Sequence, residues 1–146
     1  MSDDEQGFSA EERAAMKETA AERRAQAKRA KAADKEAADL QDVLDRIAEM
    51  PDDDRALAER VHAIVGRVAP GLAARTWYGM PAYTKEGKVV CFFKPAGKFK
   101  SRYATLGFED AAALDEGAMW TTSLAILAIG DAEEERIAEL IARAAS

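Results

Sequence analysis

Two stretches rich in aromatic and β-branched residues, Thr76 to Tyr83 and Lys88 to Lys94, stand only four residues apart. Thr84-Lys85-Glu86-Gly87 between them has the length and composition of a hairpin loop. Strands joined so closely must run antiparallel, because a parallel pair needs a crossover of a dozen residues or more. Tyr103 to Gly107 reads as a third strand, reached through Pro95-Ala96-Gly97-Lys98. Met119 to Ile129 reads as a fourth, with an apolar run suited to a sheet interior. Glu109 to Glu116 suggests a short helix closed by Gly117.

Helical periodicity surrounds this region. Leu40, Val43, Leu44, Ile47 and Met50 fall at steps of three and four and share one helical face. After Pro51, the acidic start Asp52-Asp53-Asp54 suits the positive end of a new helix. That helix turns Leu57, Val61, Ile64, Val65 and Val68 inward and ends at Ala69-Pro70-Gly71. A last helix begins at the capping box Asp131-Ala132-Glu133-Glu134 and buries Ile137, Leu140, Ile141 and Ala144. The expected architecture is α+β: an antiparallel sheet of about four to five strands with helices packed on one face.

The segment before Leu40 differs. Ser9-Ala10-Glu11-Glu12 is a capping box, and the residues through Asp39 are good helix formers with Met16 as their only large apolar side chain. Residues 1–39 are therefore expected to form a charged, alanine-rich helical arm, and residues 40–146 the folded domain. Alanine accounts for 33 residues of the chain, so the 48% hydrophobic content overstates the material for a core. The arm reads as a solvated helix or as a docking helix for a protein partner.

Charge is unevenly spread. The chain carries −6 overall, yet residues 72–107 hold seven bases (Arg75, Lys85, Lys88, Lys94, Lys98, Lys100, Arg102) against Glu86 alone. Seven of the ten aromatics lie in the same stretch. Such polarity points to a local patch for a small anionic ligand and argues against general nucleic-acid affinity. The candidate ligand-binding residues are Trp77, Tyr78, Met80, Pro81, Tyr83, Lys94, Lys98, Lys100, Arg102 and Tyr103. Lysines on exposed strands also deter edge-to-edge aggregation, which is the plain alternative. Read as one strand, Thr76 to Tyr83 would set Trp77, Gly79, Pro81 and Tyr83 on one face and Tyr78, Met80 and Ala82 on the other, with Gly79 and Pro81 bending it at an edge.

The residues that catalysis would need are sparse. His62 is the only histidine and flanks the Val61 and Val65 stripe, which makes it a boundary side chain. Cys91 lies between Val90 and Phe92, which suits an inert packed thiol and excludes an intrachain disulfide. Nothing resembles a nucleophile elbow or a phosphate-binding glycine loop. No apolar run approaches the roughly 20 residues of a membrane span. The acidic start, residues 1–6, is unlike a secretory signal, so a cytoplasmic location is expected.

Trp77-Tyr78-Gly79-Met80-Pro81-Ala82-Tyr83 followed by Gly87-Lys88-Val89-Val90-Cys91-Phe92-Phe93 resembles the YdhG-like domains of unknown function, often grouped with the YjbR/CyaY-like, frataxin-type proteins. The similarity runs from about Leu40 to Ala145. It implies a small α+β fold and a binding or delivery role, with iron as the cofactor or cargo that one branch handles. Carboxylates able to hold iron would come from Asp52, Asp53 and Asp54, from Glu109, Asp110, Asp115 and Glu116, or from Glu133, Glu134 and Glu135. All three groups sit at expected helix ends, where acids also complement the helix dipole. The basic strand region itself would repel free iron.

Overall fold

The computed structural model describes residues 9–146; the acidic stretch 1–6 lies outside them. Eight elements follow one another: α1 (Ala10–Ala48), α2 (Asp52–Val68), β1 (Ala73–Trp77), β2 (Met80–Lys85), β3 (Lys88–Lys94), β4 (Ala104–Phe108), β5 (Ser123–Ile126) and α3 (Asp131–Ala144). Contacts divide the chain at Ala37 and Ala38 into two compact units. No helix among the described residues is long and apolar enough to cross a membrane.

One continuous helix, α1, carries both sequence patterns. Ser9 Oγ accepts from the Glu12 N–H at 3.1 Å, satisfying a backbone donor that the first turn leaves open. From Ala10 to Ala38 every residue is exposed, as the lack of apolar side chains requires. Within the second unit, Val43 and Ile47 on the last turns of α1 enter the core, with Met50 just beyond. Leu40 and Leu44, on the same helical stripe, remain partly exposed.

The five strands form a meander in the order β1-β2-β3-β4-β5, antiparallel throughout. The side facing the helices presents Tyr83, Cys91, Phe93, Leu106, Phe108 and Ile126 to Val61, Ile64 and Val65 of α2 and to Ile137 and Ile141 of α3. Tyr83 opposes Cys91 and Thr84 opposes Val89, leaving Val90 as the extra residue of a β-bulge. The bulge explains why consecutive Val90 and Cys91 are both fully buried.

Five local expectations are corrected. Thr76 to Tyr83 is not one strand, because the chain reverses at Tyr78-Gly79. Trp77 and Met80 are therefore cross-strand partners, and Pro81 pairs with Thr76. Pro81 lies in an interior strand, not at an edge, but the β2–β3 pairing begins only at Ala82 and Phe92. A two-residue hairpin turns the nitrogen of Pro81 away from β1, so its missing N–H falls outside both ladders.

Glu109 to Glu116 forms turns in place of a helix. The Ala113 N–H donates to Ala144 O at 3.0 Å, and Ala112 and Leu114 plug into the core, so the segment is a strap bonded to the end of α3. The expected strand Met119 to Ile129 shrinks to Ser123–Ile126 and forms the sheet's edge, leaving Met119 89% and Leu127 74% exposed. The cap of α3 sits one residue early: the Gly130 N–H donates to Glu133 Oε1 at 2.9 Å.

Candidate functional site

Tyr78 and Gly79 close the β1–β2 hairpin with φ of 51° and 75°. Positive φ at both central residues is what a two-residue turn of the I′ type demands, and glycine supplies it without strain. Tyrosine does not; a bulky residue held there costs roughly 1–3 kcal/mol. Its ring is 79% exposed and stands edge-on to Trp77, with centroids 5.0 Å apart. Asn-Gly would make this turn more cheaply.

The turn is tied to the loop between β3 and β4. Lys98 Nζ donates to Gly79 O at 3.4 Å, and a Cβ at position 79 would collide with that ammonium. Asp54, buried near the start of α2, anchors the loop: its carboxylate accepts from the Ala96 N–H at 3.1 Å and the Gly97 N–H at 3.0 Å. A Cβ on Gly97 would press within 2.9 Å of Asp54 Oδ2, so this close approach requires glycine. Ser101 N–H to Ala96 O at 2.9 Å closes the loop.

This anchoring places Phe99 within reach of two cations. Lys94 Nζ lies 5.1 Å and Lys98 Nζ 5.6 Å from the ring centroid, both within cation–π range. Arg102 and Tyr103 pair with each other at 5.4 Å. Among the described residues, Lys94, Lys98, Lys100 and Arg102 have no carboxylate within salt-bridge distance.

Strand alternation puts Arg75, Trp77, Met80, Ala82, Phe92 and Lys94 on the sheet face opposite the core. Phe92 lies 5.2 Å from Trp77 and reaches across Gly107, where any Cβ would strike its ring. Arg75, opposite Ala82, holds its Nε buried without a hydrogen-bond partner among the described residues. The face thus runs from Trp77 and Phe92 through Lys94 to Phe99, Lys98 and the Gly79 turn. A cleft of about 370 Å³ opens beside it, lined by Gly79, Gly97, Lys98, Met50, Asp54 and Arg46 among others.

Of the residues expected to bind, the structure brings together Trp77, Tyr78, Lys94 and Lys98. Met80 shares their face but is buried. Lys100, Arg102 and Tyr103 continue the cationic loop. Pro81 and Tyr83 point to the core side and are sealed there; Tyr83 is 1% exposed. Its hydroxyl shares a 2.9 Å hydrogen bond with His62 Nδ1, and burial holds the phenol far above its ordinary range. Desolvation also lowers the His62 pKa. Cys91 is buried, with its thiol pushed up to about 12 by desolvation, consistent with an inert packing group. Phe92 and Phe99 complete the site without having been among the ligand-binding candidates, and Asp54, considered above only for iron, joins it as the anchor of the loop. Phe99 carried a signal, standing between Lys98 and Lys100; Asp54 carried none beyond its place at a helix start.

Half of the ten carboxylates considered for iron are engaged elsewhere. Asp52 pairs with Arg55 at 2.7 Å, Glu134 with Arg60 at 2.9 Å and Glu116 with Arg143 at 3.8 Å, while Asp54 and Glu133 accept from backbone N–H groups. Among the described residues no three His, Cys, Asp or Glu side chains gather as a metal cage. Comparison with protein-family models, with curated proteins and with solved structures gave no match to this chain.

Proposed function

We propose that this chain is a non-enzymatic binding domain of YdhG-like type whose basic aromatic face takes a small anionic molecule. One observation carries the reading: two lysine ammonium groups converge on the partly exposed Phe99 ring while lacking any carboxylate partner among the described residues. Both ammonium groups lie close to the ring, 5.1 and 5.6 Å from its centroid, so an anion held beside the ring would gain charge-assisted hydrogen bonds from cations that no described carboxylate neutralises. The ring beneath offers a flat apolar surface, so a ligand that joins a phosphate or carboxylate to a planar group would use both.

Iron delivery, suggested by the resemblance, is the weaker version. It calls for several oxygen ligands on one surface, and half of the candidate carboxylates already serve a helix start, arginines or the Pro95–Ser101 loop.

Thermal-shift screening with inorganic pyrophosphate, nucleoside phosphates and aromatic carboxylates tests the proposal. At 100 times the dissociation constant, a bound ligand stabilises by about 2.7 kcal/mol, a readily measured rise in melting temperature. The rise should shrink in K94A/K98A and at high salt. Flat melting curves across the set, or a rise unchanged in that variant, would defeat the reading.

A further inference from the structure

Among the described residues, none of the five strands contains an acid; Glu86 and Glu109 fall in the β2–β3 turn and just beyond β4. On the face opposite the core, register sets Arg75, Ala82, Phe92 and Gly107 in one row across β1 to β4. Two residues along, Trp77 pairs with Met80, and Lys94 follows Phe92 on β3. Trp77 and Phe92 belong to strands on either side of β2, yet their ring centroids are 5.2 Å apart. Trp77 therefore reaches over β2, which accounts for the burial of Ala82 and Met80 on this face.

The ring pair has a cation on either flank. Arg75 adjoins Trp77 on β1 and Lys94 adjoins Phe92 on β3, at opposite corners of an aromatic plate. Their backbone positions lie about 12 Å apart, two strand spacings across and two residues along. Neither has a carboxylate within salt-bridge distance among the described residues. Arg75 Nε is enclosed with no hydrogen-bond partner among them, a costly state for a charged donor. An arginine that only guarded the edge of β1 would keep its head in water. Enclosure of Nε instead fixes the stem and leaves the Nη pair as the open end of a rigid fork, suited to one carboxylate or phosphate group.

We infer that Arg75 is a second anion station, and that the ligand of this face is a dianion with one charged group at each end of a flat apolar body. The inference rests on the anionic ligand proposed above and specifies its class. One end lies at Lys94 and Lys98 beside Phe99, the body along Phe92 and Trp77, and the other end on the Arg75 fork. A monoanion satisfies one station and leaves the other cation unpaired. An acidic peptide brings the charges but no flat body to cover the two rings.

Isothermal titration of the full chain tests this with three probes: a biphenyl carrying a carboxylate at each end, the same biphenyl with a single carboxylate, and an oligoglutamate peptide. The two-ended probe should bind tighter than the one-ended probe by about tenfold or more, the worth of one charge-assisted contact. R75M keeps an apolar stem and removes the fork. It should abolish that difference while preserving most of the affinity for the one-ended probe. The comparison of probes on the native chain carries the test even if R75M fails to fold. Equal affinity for the two biphenyls overturns the dianion and leaves the anionic face in place. So does a difference that survives R75M, or an oligoglutamate that binds more tightly than the two-ended probe. If neither biphenyl binds, the reading of the face falls and the inference falls with it.

Discussion

The two faces of the sheet are built from similar residues and put to opposite uses. On the helix side, Tyr83, Cys91, Phe93 and Leu106 are sealed, and the one polar tip among them, the Tyr83 hydroxyl, is bonded to His62. On the other side, Trp77, Phe92 and Lys94 stay partly open, Arg75 keeps a buried Nε without a partner among the described residues, and Lys94 and Lys98 lie over Phe99. One face satisfies its polar groups internally, while the other leaves cations and rings unspent. Stability should therefore reside on the first and binding on the second.

The largest expected effect separates the two. F93A removes a fully buried ring and should cost about 3–5 kcal/mol in urea unfolding, whereas F99A on the open side should cost under about 1 kcal/mol. Comparable losses from both would erase the distinction between the faces.

Next comes the anchor between them. D54A leaves the Ala96 and Gly97 N–H groups without their charged acceptor and should destabilise by about 2–3 kcal/mol, with faster hydrogen exchange at those two amides. Anion binding should fall with it, because the loop presenting Phe99 is released. Unchanged exchange at Ala96 and Gly97 would show that Asp54 does not set the loop.

The turn sharpens the contrast in the opposite direction. Y78N creates the favoured Asn-Gly pair at positive φ and should stabilise the fold by about 1 kcal/mol. If the exposed ring contributes to binding, affinity drops as the melting temperature rises. A lower melting temperature in Y78N would mean that the tyrosine is not strained.

Much of this was legible beforehand, and each failure has a physical cause. The helical stripe through Val61 and Val65 and the aromatic strands declare themselves by period, because burial on one face requires it. The Tyr78-Gly79 reversal does not, since tyrosine is a poor occupant of positive φ and sequence rules look for Asn-Gly. Two residues of turn suffice to reassign the faces: Trp77 and Met80 come together on the open side, while Pro81 and Tyr83 go inward. Asp54 was hidden for another reason. An acid at a helix start already has an ordinary explanation, and its bonds to Ala96 and Gly97 span more than forty residues.

The smallest effect concerns His62. Its folded pKa lies below the ordinary value of about 6.5, so the unfolded chain binds the proton more readily. The contribution is complete above that value and is lost as the pH falls through it toward the lowered folded pKa. Melting temperature should decline from pH 7.5 to pH 5.5 more steeply in the native chain than in H62Q; equal slopes would remove His62 from the pH response.

The most direct test of the open face is an amide chemical-shift titration with inorganic pyrophosphate, repeated on K94A/K98A. Shifts should concentrate at Trp77 to Gly79, at Lys94 and from Lys98 to Arg102, follow a saturable curve and vanish in the variant. Shifts that are absent, that spread evenly over the surface or that survive the double substitution would contradict an anion site on this face.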